Sequence, residues 1–292
     1  MLSDEIVITG KRALARSYAK INLTLDVLGR RENGYHDIEM VMQTVSLFDL
    51  LIIDKCYGEI SVKTNLHYLP DNDKNIAYKA AKAFFDYTHI RSSVKIMIHK
   101  NIPVAAGLAG GSGNAAAVLC ALDRLYGTML SREELFKLGT ALGADVPYCI
   151  MGGTTIASGI GEILTPIEQL KKTHILLVKP PINISTAAIY EEIDSAKILR
   201  RPDTAAMRRA IASNNITAVA DNLCNVMESV TERQCPVICG IKKKMRMNGA
   251  IGALMSGSGP TVFGIFDNYN KAKRSHDSFS RQYKDVFLVE TI

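Results

Sequence analysis

Four glycines crowd into residues 107–113, between a strand-like run ending at Lys100 and an alanine-rich stretch that begins after Asn114. Glycine weakens a helix or strand from within, so such a cluster belongs where backbone must turn sharply or approach something closely. A strand that feeds a glycine loop, which then opens a helix, suits one physical task. The first amides of a helix lack intrahelical partners and carry partial positive charge from the helix dipole. Together they form an anion site suited to phosphate. Ser112 adds a hydroxyl able to hydrogen-bond a phosphate oxygen or to help hold Mg²⁺. The loop is not a Walker A motif, because no Lys-Ser/Thr pair follows its glycines. Nor is it a dinucleotide fingerprint, since position 116 is alanine. Protein-kinase motifs are absent as well. Read alone, the loop is equally a turn that packs a helix closely on a sheet.

The surrounding pattern is that of an α+β protein. From Tyr18 to Val27, polar Tyr18, Lys20, Asn22, Thr24 and Asp26 alternate with apolar Ala19, Ile21, Leu23, Leu25 and Val27. That period of two predicts a strand with one polar face. Asn33-Gly34 predicts a hairpin turn. Further strands are expected at 38–47, 49–54, 58–63 and 93–99, with a helix over 73–88 entered through Asp73. A helix over 114–126 should leave the glycine loop. Ser131 and Glu134 read as a capping box for a helix that runs to Leu142 and stops at Gly143. A strand-like segment follows at 148–158. The second half changes rhythm: a strand at 174–179, helices between 186 and 247 ended by Asn248-Gly249, strands at 250–255 and 261–266, a helix over 269–283 and a strand at 285–291. The order β-α-β-β-α-β with inserted helices is that of a ferredoxin-like unit.

A chain of 292 residues can bury a core in one large or two medium domains. With 47% hydrophobic and 22% charged residues, it has ordinary globular composition, which argues against long disorder. Apolar runs such as Ile175–Val178 are far too short to span a bilayer, so no membrane partner is expected. Asp4 and Glu5 open the chain without an apolar run, so no secretory signal is expected and the cytoplasm is the expected location. The net charge of +6 suits either a nucleic-acid binder or an enzyme of phosphorylated ligands. The densest basic cluster, Lys242, Lys243, Lys244 and Arg246, has no interleaved aromatics to stack on bases and reads as a solvated helix face. No nucleic-acid partner is expected. The six cysteines lack the paired spacing of a zinc site and are expected to be reduced, buried thiols.

At this point a resemblance enters. Pro103, Val104, Ala105, Ala106, Gly107, Leu108, Ala109, Gly110, Gly111, Ser112 and Gly113 resemble the central motif of the GHMP kinases, which include galacto-, homoserine, mevalonate and phosphomevalonate kinases. Ala19-Lys20-Ile21-Asn22-Leu23 and Met255-Ser256-Gly257-Ser258-Gly259-Pro260-Thr261 are similar to the flanking motifs, in the same order. Within the superfamily, Gly29 through His36 and Leu142 through Pro147 resemble the branch whose acceptor is 4-diphosphocytidyl-2-C-methyl-D-erythritol. The resemblance implies a two-domain fold: residues 1–165 as a ribosomal-protein-like, ATP-binding N-terminal domain and 166–292 as a ferredoxin-like, substrate-binding C-terminal domain. It implies phosphorylation of the acceptor's 2-hydroxyl in the non-mevalonate isoprenoid route, with ATP and Mg²⁺, by a monomer or homodimer. A GHMP kinase for homoserine or mevalonate, or a catalytically silent nucleotide-binding regulator, are the alternatives.

Roles follow from the same resemblance. Asp145 is the base that takes the hydroxyl proton, and Lys20 orients that hydroxyl and stabilises charge, a chemically coherent pair because an ammonium keeps a carboxylate ionised. Tyr35 stacks on cytosine, His36 bonds its edge, Tyr190 is the second ring, Thr186 faces the ligand and Asn22 meets the methylerythritol or its phosphate. Lys100 and Asn75 lie near the adenosine. No set of metal ligands is evident. One departure is Gly113, where the branch more often has Ser or Thr; glycine removes a hydroxyl that could contact phosphate or metal.

Overall fold

The computed structural model describes residues 5–292, so Asp4 and the part of the signal-peptide reading that rests on it lie outside the described residues. Two compact units share the chain. The first takes the described residues up to Ala19, with Leu47–Val104 and Ala109–Gly152; the second takes Lys20–Ser46, Ala105–Leu108 and Gly153–Ile292.

In the first unit, β1 (Ile6–Thr9) forms a hairpin with the start of β2 (Arg12–Arg30), antiparallel with Ile6 opposite Ala15. The far end of β3 (His36–Cys56) pairs antiparallel with β5 (Ser93–His99), and β4 (Ser61–Thr64) lies parallel on the other side of β5. Four helices accompany these strands: α1 (Ile76–Thr88), α2 (Gly110–Tyr126), α3 (Arg132–Leu142) and α4 (Val146–Met151). Leu51, Ile53, Ile96 and Ile98 face Ala77, Ala80, Ala81 and Phe84 in the core. Every α2 residue from Gly113 to Leu122 is buried. A helix enclosed on all sides needs small side chains, which accounts for its alanines.

Local rules hold well here. Ser131 and Glu134 form the capping box of α3, which ends at Gly143. Three expectations need correction. The helix after residue 73 starts at Ile76 behind the cap Asn75, not at Asp73. β3 is one strand where two were expected. The segment after Asp145 is helical to Met151, and strand begins only at Thr154. Pro147 suits a helix's first turn, and the short apolar run Cys149-Ile150-Met151 has no period that separates helix from strand.

In the second unit, β6 (Thr154–Ser158) pairs with β3 at Met40–Gln43 and with β7 (Ile163–Pro166). Then come β8 (His174–Lys179), α5 (Thr186–Ile193), α6 (Thr204–Ala212), α7 (Ile216–Asp221), β9 (Cys224–Asn225), α8 (Glu228–Gln234), α9 (Val237–Met247), β10 (Gly252–Met255), β11 (Val262–Phe266), α10 (Tyr269–Ser280) and β12 (Asp285–Glu290). The last sheet has the order β10-β11-β8-β12, all antiparallel, which is the ferredoxin-like arrangement expected from the element order. β9 is a two-residue strand parallel to β2, with Leu25 opposite Asn225.

The basic cluster on α9 departs from a uniformly solvated face. Lys242 is only 16% exposed and pairs with Glu228 at 2.6 Å and Glu232 at 2.7 Å, while Lys243 and Arg246 are exposed. All six cysteines are free; Cys120 and Cys224 are buried as expected, but Cys239 is exposed. Among the described residues no helix is long and apolar enough to cross a membrane.

Candidate active site

Each residue singled out above has a definite local setting. α2 starts at Gly110, inside the glycine cluster rather than after it. Its cap residue Ala109 sits at φ 55° and offers no side-chain hydrogen bond. Among the described residues the cap position therefore brings no side chain to the first amides, which suits an anion site. Gly107, Gly110 and Gly113 leave no room for a Cβ, whereas one on Gly111 would meet only Ile76 at 3.8 Å. A Cβ on Gly110 would fall 2.9 Å from Ile102 Cγ2 and 3.2 Å from Lys100 Nζ.

Lys100 belongs to a buried polar cluster at this end of the first unit. Its ammonium pairs with Asp49 and donates to Asn114 Oδ1 at 3.0 Å. Asp49 also accepts from Asn114 Nδ2 at 2.9 Å and from the amides of Asn101 and Ile102 at 2.7 and 2.8 Å. One carboxylate thus ties β3, the segment leading into the glycine loop and the first turns of α2 together. Asn75, read above as lying near the adenosine, commits its side chain to the start of α1. It accepts from Ala77 N at 2.9 Å and donates to Pro70 O at 2.7 Å.

Gly113 turns inward. A Cβ there would meet Ser17 Oγ at 2.5 Å and Tyr18 O at 3.4 Å, and Ser17 Oγ is buried without a hydrogen-bond partner among the described residues. A side chain at 113 would begin toward the interior. A Ser or Thr at this position would accordingly start against Ser17.

The second unit holds the middle of the loop. Lys20 N donates to Leu108 O at 3.2 Å, so β2 and residues 105–108 are joined through backbone. Lys20 is buried, and Nζ donates to Asn22 Oδ1 at 2.7 Å; Asn22 Nδ2 in turn lies 3.1 Å from Met40 Sδ. The polar face expected of β2 is present and buried: Lys20, Asn22, Thr24 and Asp26 all lie inside. Gly107, at φ 72°, lies against the loop that follows β10. Ser256 Oγ donates to Gly107 O at 2.9 Å, and a Cβ on Gly257 would lie 3.5 Å from Lys20 Nζ. The first and third motifs are therefore brought together at Gly107. Ser258 Oγ lies 2.7 Å from Thr186 Oγ1, which links Thr186 to the same loop.

The aromatic residues divide. His36 and Tyr190 stack with centroids 5.0 Å apart and an angle of 24°. His36 Nε2 lies 2.8 Å from Asp194 Oδ1. Tyr35 is 60% exposed and pairs with neither ring. Asp145 stands at the cap position of α4 and makes no side-chain cap bond to it.

Sequence reasoning missed Asp49, Asp194 and Asn225. Two had a usable signal. Asp49 is the one acid between Val45 and Ile53, and Asn225 is the one amide between Leu223 and Met227. Isolated polar side chains in apolar runs must be paired when buried.

Two family models match the chain: the GHMP kinases N terminal domain over residues 75–153 and the GHMP kinases C terminal model over residues 207–285. A 4-diphosphocytidyl-2-C-methyl-D-erythritol kinase of Alkaliphilus oremlandii (strain OhILAs) is 49% identical, covering 96% of this chain and 97% of that protein. A protein of the same name from Alkaliphilus metalliredigens (strain QYMF) is 48% identical over 96% of this chain and 97% of its own length. A crystal structure of 4-(cytidine 5'-diphospho)-2C-methyl-D-erythritol kinase superposes with a TM-score of 0.81 at 29% identity, covering 95% of this chain and 98% of that one.

Proposed function

The chain belongs to the GHMP kinases, and we propose that it transfers the γ-phosphoryl group of ATP to the 2-hydroxyl of 4-diphosphocytidyl-2-C-methyl-D-erythritol, a step toward isoprenoid precursors. The observation that carries the reading is the uncapped start of α2 at the end of a glycine loop, in a chain related over almost its whole length to kinases of that name. The triphosphate would take the loop Pro103–Gly113, with the amides of Gly110, Gly111 and Ser112 supplying positive potential where charge builds on the migrating group. Lys100 and Asn75 would border the nucleotide by holding the loop and the start of α1.

Asp145 would accept the proton of the acceptor hydroxyl, and Lys20 would orient that hydroxyl and stabilise the developing charge. Asn22, bonded to Lys20, would meet the methylerythritol or its phosphate. Tyr35, His36 and Tyr190 would hold cytosine, and Thr186 would face the same ligand. A flat base with a donor–acceptor edge suits a ring pair whose histidine is fixed by Asp194. Among the described residues no group of three or more His, Cys, Asp or Glu could form a metal cage. Mg²⁺ would come with ATP and neutralise its β- and γ-oxygens, with the Ser112 hydroxyl able to help hold it. The proposal places this chemistry in the cytoplasm, in a monomer or homodimer, with nucleotide-binding residues 1–165 and substrate-binding residues 166–292.

The test is ADP release from ATP and Mg²⁺ with the cytidyl acceptor, homoserine or mevalonate as phosphoryl acceptor. Turnover is expected with the first alone; turnover only with another alcohol removes the acceptor assignment. Asp145→Asn and Lys20→Ala should each lower kcat by roughly 10²–10⁴-fold in a folded protein. A near-normal rate in either variant removes the role given to that residue.

A further inference from the structure

We propose that Asn225 is a positioning residue for phosphoryl transfer, holding the loop Ser256–Gly259 against Gly107 and Lys20. The side chain is 4% exposed, and its contacts are those of a clamp. Nδ2 donates to Met255 O at 2.9 Å and to Gly257 O at 2.8 Å, while Oδ1 accepts from Met227 N at 3.0 Å, which sets the orientation of the amide. Three residues on, Glu228 Oε1 accepts from Met255 N at 2.8 Å. Met255 is thus gripped at both its backbone groups by one short segment. That segment is itself fastened to β2, because Val226 N donates to Leu25 O at 3.0 Å.

The far side of the loop touches the residues to which chemistry was assigned. Ser256 Oγ donates to Gly107 O at 2.9 Å, and a Cβ on Gly257 would lie 3.5 Å from both Gly107 Cα and Lys20 Nζ. Nothing places Asn225 on a substrate. It acts through Gly257 on Lys20 and through Ser256 on the phosphate loop, so the inference rests on the roles proposed for those two elements. The two hydrogens of a single amide nitrogen hold both carbonyls at once.

Asn225→Asp keeps the shape and deletes both donors, leaving a carboxylate that faces two carbonyl oxygens. At about pH 8 its kcat should fall roughly ten- to hundredfold, because displacements near 1 Å are costly to transfer. The deficit should shrink as the pH approaches about 6, since burial and the carbonyls raise the new carboxyl's pKa and its proton restores one donor. Phe279→Leu, a buried residue of α10 that packs beside Tyr283, serves as a control for lowered Tm, with kcat expected within about threefold of wild type. A crystal structure of Asn225→Asp should show residues 256–259 displaced from Gly107. The proposal falls if the kcat loss is no greater than that of the control, if it is the same at both pH values, or if the loop has not moved. A wild-type protein inactive on the cytidyl acceptor would remove the functional reading instead, because the loop displacement is read whichever alcohol is the substrate.

Discussion

Gly107→Ala puts the loop geometry to a quantitative test. A Cβ at this position would lie 2.2 Å from Ser256 O and 3.1 Å from Gly259 O, both backbone atoms. No rotamer can relieve such a contact. Restoring van der Waals separation requires the Ser256 carbonyl to retreat by about 1 Å. That carbonyl accepts from Gly259 N at 3.0 Å, and the same residue's hydroxyl donates to Gly107 O at 2.9 Å, so a retreat stretches both bonds. Each is worth about 1 kcal/mol net. Alanine at φ 72° adds about 1–2 kcal/mol of backbone strain. The expected loss is therefore roughly 3–4 kcal/mol, below the ~5–15 kcal/mol that a domain of ordinary stability holds in reserve. The variant should fold, with a lowered midpoint in urea, and kcat should drop about a hundredfold because the phosphate loop and Gly257 are pushed apart. A stability loss under about 1 kcal/mol together with kcat within about threefold of wild type would refute the reasoning.

Other expectations follow from single contacts. Asp49→Ala leaves the Lys100 ammonium buried without its carboxylate and orphans the amides of Asn101 and Ile102. It should cost about 3–5 kcal/mol in urea denaturation, and a loss below about 1 kcal/mol would show that the cluster does not hold the loop. Ser17→Ala with Gly113→Ala should be more stable than wild type by about 1–2 kcal/mol, since it removes an unpaired buried hydroxyl and a helical glycine; Gly113→Ala alone should destabilise, and additivity of the two changes would refute the clash. Burial raises the Glu228 carboxyl above its ordinary 4.5, with Lys242 pulling the other way. A raised acid holds its proton more tightly when folded, so its stabilisation is complete below pH 4.5 and is lost as pH climbs through the folded value. Glu228→Gln should therefore flatten that part of the stability–pH curve measured by urea midpoints, and an unchanged slope would contradict the assignment.

The local chemistry of the chain was legible residue by residue. The capping box at Ser131, the stop at Gly143, the strand at 93–99 and the ferredoxin-like order all follow from short-range rules about turns, caps and periodicity. The three kinase motifs were legible too, because the glycines and the Lys20 segment stand in a fixed order along the sequence. Where short-range signals conflict, the reading failed: Cys149-Ile150-Met151 is as apolar as a strand, yet it closes a short helix begun at Val146.

By itself, then, the amino-acid order determined most of the elements, the glycine loop that opens α2 and the family to which the chain belongs. Only the tertiary structure decided that the polar face of β2 is buried, that Asp49 holds Lys100 and Asn114, that a residue at 113 would face Ser17, and that Asn225 clamps Met255 and Gly257. The reason is physical. Helix caps and strand periods are set by neighbours a few residues away, whereas the partner of a buried carboxylate or amide is chosen by packing between segments far apart in the chain, where the cost of leaving a polar group unpaired selects one arrangement.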